Sequence, residues 1–216
     1  MTETYDRDCT ACPRLASFLV DVRERHPTYH ALPVPAFGDD APQLLIVGLA
    51  PGMHGANATG RAFTGDYAGV LLYETLHTFG IASAPQSVHV DDGLTLSGTR
   101  ITNAVKCLPP QNKPIAAEVN TCNAYLANEL ASVPREGVIL ALGGISHKAI
   151  IRAYGFRQAD YPFAHGAEHG LPNGRVLIDS YHCSRYNTQT RRLTTEMFQR
   201  VVRNAARRAG VGQYAA

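Results

Sequence analysis

The chain alternates between apolar runs and segments in which apolar positions recur with a helical period. Residues 44–50 (LLIVGLA) and 136–144 (EGVILALGG) are nearly continuous apolar runs, which is typical of strands that are covered on both faces. Residues 99–107 (TRITNAVKC) and 174–182 (GRVLIDSYH) form two further apolar stretches. The pattern therefore predicts four strands.

Helical segments lie around and between these strands. In residues 65–80, an apolar stripe ends at Gly80 and consists of Val70, Leu71, Leu72 and Leu76. The predicted helices span residues 12–26, 65–80, 114–131, 145–155 and 190–210, whereas residues 82–98 and 155–174 are predicted loops. Alternating strands and helices predict an α/β fold in three layers, α/β/α, with a parallel sheet in the centre. With no linker or repeat visible, we expect one domain over residues 1–216.

Unusual polar segments follow the predicted strands. Residues 46–69 contain six glycines in 24 positions, so the backbone there turns sharply or closely approaches another group. A second strand ends in Asn103 and Cys107, and the last strand leads into the segment 180–190 (SYHCSRYNTQT). Because ligands of such sheets bind beyond the carboxyl ends of the strands, these segments predict a single cleft.

Composition narrows the class of protein. The chain has 216 residues, 45% hydrophobic and 18% charged, as in ordinary globular proteins. No run is apolar enough to span a membrane and no signal peptide is evident, so we expect a cytoplasmic protein. The net charge is only +2, but eight arginines follow position 174 against two acidic residues. This asymmetry indicates either a polyanionic partner or a solvated arginine-rich last helix.

Five cysteines are present, an odd number that argues against a disulfide scaffold. Cys9 and Cys12 form a C-x-x-C pair, and Cys107 and Cys122 follow as distant single cysteines. A zinc ribbon usually has a second close pair, whereas one pair with two single cysteines suits an iron–sulfur cluster. Separate buried thiols are the alternative.

Three segments in order carry a resemblance to a known family: GLAPG…TGRAFTGD (48–66), TNAVKCLPPQNKP (102–114) and SYHCSRYNTQT (180–190). The chain resembles the uracil-DNA glycosylases of the iron–sulfur branch, most closely family 5 (the B-type enzymes) and more distantly family 4. The resemblance implies a four-stranded parallel sheet between helices, a 4Fe–4S cluster, and excision of uracil and other deaminated bases such as hypoxanthine from DNA. We also expect a monomer.

The resemblance also implies roles for individual residues. It places catalysis on Asp66, acting on the sugar cation or on water, and on His182, acting on the leaving base. It implies base contacts by Gly48, Ala50, Gly52, Phe63 and Asn103. DNA contacts are implied for Asn57, Arg61, Ser184, Arg185 and Asn187, with Arg185 filling the space that the flipped base leaves. The implied cluster ligands are Cys9, Cys12, Cys107 and Cys122.

Each role has a structural alternative. Asp66 is also placed to cap the helix that follows it, and Asn103 to bond its own backbone at a strand end. Phe63 suits ordinary core packing. Cys183 stands where the family usually has proline, and Arg191 where glycine is common. With further departures at Met53, Ala58 and Ala62, these changes indicate a divergent subgroup.

Two other functions fit parts of the sequence. A nucleotide-binding α/β protein also has a glycine turn after its first strand, but the chain lacks G-x-G-x-x-G and a P-loop lysine. A protein that binds uracil-containing DNA without excising the base is the second alternative, and an abasic product distinguishes the two. His165 and His169 resemble a metal-binding pair, yet their flanking glycines favour DNA contact or packing.

Overall fold

The computed structural model describes residues 5–215. The termini of the predicted domain, residues 1–4 and 216, lie outside the described residues. The strands are β1 (Phe37–Gly38), β2 (Leu44–Gly48), β3 (Thr99–Asn103), β4 (Val138–Leu142), β5 (Glu168–Gly170) and β6 (Val176–Ser180). The α-helices are α1 (Pro13–Arg25), α2 (Ala56–Thr59), α3 (Tyr67–Thr78), α4 (Ala116–Ser132), α5 (Gly144–Ala153), α6 (Arg185–Gln189) and α7 (Thr195–Ala209).

The sheet has the strand order β1-β3-β2-β4-β6-β5. Its four central strands are parallel, as the sequence predicts, and Gly48 pairs with Asn103 at the carboxyl ends of β2 and β3. The predicted count of four strands is too low, because β1 and β5 add an antiparallel strand at each edge. These strands have two and three residues, too few to show an alternating pattern.

Side chains alternate between the two faces of the sheet and build a core on each side. From β2, Leu44 and Ile46 join the core that includes α3 and α7. Leu45 and Val47 join the other core, which includes α1, α4 and α5. The three-layer α/β/α prediction is therefore confirmed. No helix within residues 5–215 meets the length and apolarity needed to cross a membrane.

Two predicted elements differ from the structure around the cleft. Strand β3 ends at Asn103, so the residues up to Cys107 leave the sheet. The predicted helix 190–210 is in fact α7, which begins after Thr194 caps the amide of Met197 at 3.2 Å and ends at Gly210. The short helix α6 precedes it, within the polar segment that follows β6.

Candidate active site

A pocket of about 780 Å³ lies beyond the carboxyl ends of β2, β3 and β6. The glycine-rich segment after β2, the end of β3 and the segment after β6 all contribute to its wall, as the sequence predicts. The predicted residues that line it are Ala50, Gly52, Phe63, Asp66, Asn103, His182, Ser184 and Arg185. The structure therefore brings the predicted catalytic residues and most predicted base contacts to one place.

Gly48 allows Asn103 and Phe63 to meet at the back of the pocket. A Cβ atom at position 48 would stand 2.4 Å from Asn103 Oδ1 and 2.6 Å from Phe63 Cζ, closer than atoms pack. Asn103 is only 4% exposed, and its Oδ1 accepts no hydrogen bond from any residue in the range 5–215. A buried acceptor without a donor costs roughly 1–3 kcal/mol, which indicates that a ligand supplies the donor.

Phe63 and His182 face each other as neighbouring rings. Their centroids are 5.9 Å apart and their planes differ by 27°. Phe63 is buried and has a φ of 55°, a backbone conformation that side chains other than glycine rarely adopt. This local strain, at a pocket residue, fits a ring that is held for contact with a ligand.

His182 is held neutral. Burial lowers the pKa of His182 to about 4, so its imidazole carries one N–H donor and one acceptor at neutral pH. The side-chain amide of Asn187 donates to the His182 carbonyl oxygen at 2.8 Å. Asn187 therefore positions the loop that carries His182, and its DNA contact stays a prediction.

Asp66 begins helix α3. Its Oδ1 accepts the amide hydrogen of Gly69 at 2.8 Å, so the capping role is present. Burial raises the pKa of Asp66, and the amides of Gly69 and Ala68 oppose that shift. A Cβ at Gly55 would lie 2.6 Å from Oδ2, so only glycine lets the loop pass this carboxylate. The second oxygen thus remains at the pocket wall.

Cys183 links the two catalytic segments. It is 0% exposed, and its thiol donates to the carbonyl oxygen of Ala68 at 3.4 Å, in the first turn of α3. The loop after β6 therefore has a fixed attachment where the resembling family has proline. This hydrogen bond joins the segment that carries His182 to the segment that carries Asp66.

The structure buries the side chains of two residues with predicted DNA contacts, Arg61 and Asn57, and these contacts stay predictions. Arg61 is 4% exposed, forms a 2.7 Å ion pair with Asp92, donates to Ser87 and the Val90 carbonyl, and lies over the ring of Phe37. These contacts fix the loop before β3 against the glycine-rich segment. A guanidinium with so many internal partners has a structural role.

Asn57 is the second such residue. It is fully buried, and its side-chain amide donates to the Met53 carbonyl at 3.5 Å. Its backbone carbonyl accepts the amide hydrogen of Ala31, which joins the loop to the segment after α1. Asn57 therefore shapes the glycine-rich loop from inside.

Ser184 and Arg185 remain at the mouth of the pocket. Ser184 caps α6 by accepting the amide hydrogen of Asn187 at 3.4 Å. Arg185 is exposed, and its guanidinium lies 6.0 Å from the centre of the Tyr67 ring. This places an exposed cation and an aromatic side chain side by side at the entrance.

The sequence analysis did not assign a role to three polar side chains that line the pocket: His54, Tyr67 and Asn112. His54 is exposed, and its Nδ1 lies 2.8 Å from the hydroxyl of Tyr29. Asn112 has a φ of 56° on the loop that follows β3. His54 and Asn112 lie within the segments that carry the family resemblance, which was the available signal.

The four predicted cluster cysteines line one cavity, together with Lys106. Cys107 and Cys122 are buried, and Cys9 and Cys12 are partly exposed. Burial, followed by the neighbouring charges of the other three cysteines, raises the pKa of the Cys107 thiol to about 12. Four sulfur donors around one cavity are the ligand set that iron–sulfur clusters use, so these residues fit such a group.

His169 has an internal role instead of a DNA contact. Its Nε2 lies 3.4 Å from Asp179 Oδ2, and His147 Nδ1 lies 2.7 Å from the other oxygen. Two ligands of one zinc ion, each about 2 Å from the metal, stand farther apart than 2.7 Å in a tetrahedral site. The 2.7 Å between His147 Nδ1 and Asp179 Oδ1 is instead a hydrogen-bond distance. His165 is also internal, since it accepts the amide hydrogen of Tyr181.

The fold and the pocket define an α/β protein with a polar pocket beyond the carboxyl ends of a parallel sheet. A sequence model of the uracil DNA glycosylase superfamily matches residues 35–206. The chain therefore belongs to the uracil-DNA glycosylase superfamily.

Individual relatives agree with this assignment. The chain is 47% identical over 208 residues to a type-5 uracil-DNA glycosylase of Thermus thermophilus, covering 94% of each chain. It is 41% identical over 207 residues to a type-5 uracil-DNA glycosylase of Pyrobaculum aerophilum, covering 94% of this chain and 90% of the relative. A type-4 uracil-DNA glycosylase of the latter organism is 37% identical over 131 residues, covering 60% and 58%. The predicted resemblance to family 5 is confirmed, and the divergent subgroup stays a prediction.

Proposed function

We propose that the protein hydrolyses the N-glycosidic bond of uracil in DNA and leaves an abasic site. The observation that carries this proposal is that Asn103, whose buried Oδ1 has no donor within residues 5–215, lines the same pocket as Asp66 and His182. The N3–H and O4 of uracil are a donor and an acceptor side by side. They match the Oδ1 and Nδ2 of one side-chain amide.

The reaction separates charge along the C1′–N1 bond. The bonding electron pair leaves with the base, and negative charge develops on uracil O2 while the deoxyribose becomes an oxocarbenium ion. The neutral imidazole of His182 supplies an N–H that hydrogen-bonds this oxygen. Phe63 stacks on the extruded base, as aromatic side chains do in other base-flipping enzymes.

The Asp66 carboxylate acts at the sugar. Its negative charge stabilises the oxocarbenium ion, and its outer oxygen orients the water that attacks C1′. The attacking water gives its proton to Asp66 or to solvent, and the base takes up a proton after it leaves. The amides at the start of α3 favour the anionic carboxylate in spite of its burial.

Ser184 and Arg185 contact the DNA strand at the mouth of the pocket in this proposal. Arg185 is exposed and has the length to enter the stack where the base has left. Ala50 and Gly52, on the pocket wall, let the backbone approach the base and its phosphate. Hypoxanthine and other deaminated bases are further proposed substrates, and a monomeric state stays a prediction.

We also infer that Cys9, Cys12, Cys107 and Cys122 bind a 4Fe–4S cluster. Such a cluster supplies a cross-link between the N-terminal segment, the loop after β3 and α4. These cysteines hold that loop only a few residues from Asn103. Purified protein is expected to be brown and to contain about four iron atoms per chain. A colourless protein with stoichiometric zinc contradicts the cluster, and Cys107→Ser tests whether the loop depends on it.

The experiment for the main proposal is single-turnover excision on a duplex with one uracil, followed by alkali cleavage of the abasic product. Asn103→Ala is expected to lower uracil excision more than hypoxanthine excision, because the matched donor and acceptor of uracil lose their partner. Exposed Lys148→Ala is the control. A wild-type protein that binds the duplex tightly and yields no abasic site refutes the enzyme and supports a damage-binding protein.

A further inference from the structure

Behind the base pocket lies a buried ion pair that the proposed reaction does not use. Lys106 follows β3 and is 2% exposed, and Glu129 on α4 is 1% exposed. Lys106 Nζ lies 2.6 Å from Glu129 Oε2. Burying such a pair removes two charges from water, and an apolar pair of similar size is often at least as stable. Stability alone therefore does not account for these two residues.

The ammonium of Lys106 is fully engaged. Besides Glu129, it donates to the hydroxyl oxygen of Thr102 and, at 3.1 Å, to the backbone carbonyl oxygen of Asn103. The Thr102 hydroxyl in turn lies 2.9 and 3.0 Å from the two Glu129 oxygens. All three ammonium hydrogens thus have acceptors, and one of them fixes the peptide of Asn103.

The network holds β3 from the face opposite the pocket. Thr102 turns toward α4, and Asn103, the next residue, turns toward Gly48 and Phe63. The Asn103 side chain packs closely against Gly48, where even a Cβ atom would lie only 2.4 Å from Oδ1. A tilt of the Asn103 peptide therefore changes the direction of its side-chain amide directly.

Lys106 also touches the cysteine cavity. Its backbone amide donates to Cys122 Sγ at 3.4 Å, and Cys107 is the next residue. Lys106 thus contacts Asn103 through its side chain and the cysteine cavity through its backbone.

We propose that Lys106, charge-balanced by Glu129, is a positioning residue that sets the angle at which the Asn103 amide meets the base. This inference rests on the proposed function of Asn103. Lys106 itself touches no substrate. Its loss leaves the pocket, Asp66 and His182 in place, and it lowers discrimination at the base edge.

The test is a double-mutant cycle. Lys106→Met/Glu129→Gln removes the ammonium and the negative charge together, so that no unpaired charge stays buried. This variant is made in the wild-type background and in Asn103→Ala, and single-turnover excision of uracil and hypoxanthine is measured in each. Arg100→Met is the control, because it removes an ion pair to Asp40 at the other end of β3.

The expected loss of uracil excision is about tenfold or more in the wild-type background, as small misplacements of substrate-orienting groups cost that much. In Asn103→Ala the same change is expected to cost less than about twofold, because a group that acts through Asn103 has nothing left to orient. Equal losses in both backgrounds overturn the inference. Absence of wild-type excision refutes the proposed function instead, so the two failures differ.

Lys106→Arg is the second variant, for the case in which the first does not fold. It keeps the charge beside Glu129, but the planar guanidinium directs its donors differently from an ammonium. The same dependence on Asn103 is expected from it. A Lys106→Arg protein with unchanged rates and an unchanged uracil-to-hypoxanthine ratio overturns the inference.

Discussion

Asp66 combines a capping role and a proposed catalytic role, and two substitutions separate them. Asp66→Asn keeps an oxygen that accepts the amide hydrogen of Gly69, now 2.8 Å from Oδ1, and removes only the charge. Asp66→Ala removes both the acceptor and the charge. The two variants therefore share a catalytic defect and differ in stability.

The magnitudes follow from the geometry. Replacing an N-cap by alanine costs about 1 kcal/mol, and asparagine caps about as well as aspartate. Because burial disfavours the Asp66 charge, the Asp66→Asn protein is expected to be at least as stable as the wild type at neutral pH. Loss of the transition-state charge is expected to lower excision about a hundredfold in both variants, equivalent to about 2.7 kcal/mol.

Two assays read the two roles. Urea denaturation gives the free energy of unfolding, in which Asp66→Ala falls below Asp66→Asn by about 1 kcal/mol. Single-turnover excision of uracil gives the chemical rate, in which the variants are equally slow. If Asp66→Asn excises uracil at nearly the wild-type rate, Asp66 is only a helix cap and the catalytic assignment is wrong.

Three further predictions concern single positions. Gly48→Ala is expected to lower uracil excision at least about tenfold, because the new Cβ displaces the Asn103 amide; Gly170→Ala, whose Cβ meets nothing within 4 Å, is its control, and equal activities refute the clash. Arg191→Gly is expected to raise the free energy of unfolding by about 1 kcal/mol in urea, since Arg191 has a φ of 56°, and a destabilised variant contradicts this. Burial lowers the His182 pKa from 6.5 to about 4, so the unfolded chain binds a proton at a higher pH than the folded chain does. The free energy of unfolding, measured in urea, is therefore expected to fall as the pH drops from 6.5 to about 4. His182→Gln is expected to make this dependence on pH weaker.

The sequence predicted the elements that carry strong patterns. The apolar run of β2 and the stripe on α3 are long enough to show their period, and both elements lie where they were expected. Of the predicted stripe, Val70 is the exception, because it is 50% exposed. The edge strand β5 was missed because three residues, two of them exposed, carry no such period. The local pattern of apolar residues is therefore enough to predict the central strands and the helices. The short edge strands depend on tertiary contacts that the local sequence does not show.

The site shows the same division. Asp66 and Asn103 were correctly placed in the cleft because both lie within motifs of the family resemblance. Arg61 is buried instead, although arginine in a polar loop suggests a phosphate contact. Its partner Asp92 lies 31 residues away in the chain, and a pairing at that separation leaves no local signal. The same holds for Lys106 and Glu129, which are 23 residues apart.

The buried hydrogen bond from the Cys183 thiol to the Ala68 carbonyl oxygen affects how readily that thiol reacts. Thiols react with oxidants and alkylating agents as thiolates, and burial raises the pKa of Cys183 far above neutral pH. No path from solvent reaches its sulfur, since the residue is 0% exposed. A buried thiol thus stands where the family usually has proline, and it adds no site of oxidation to the loop that carries His182.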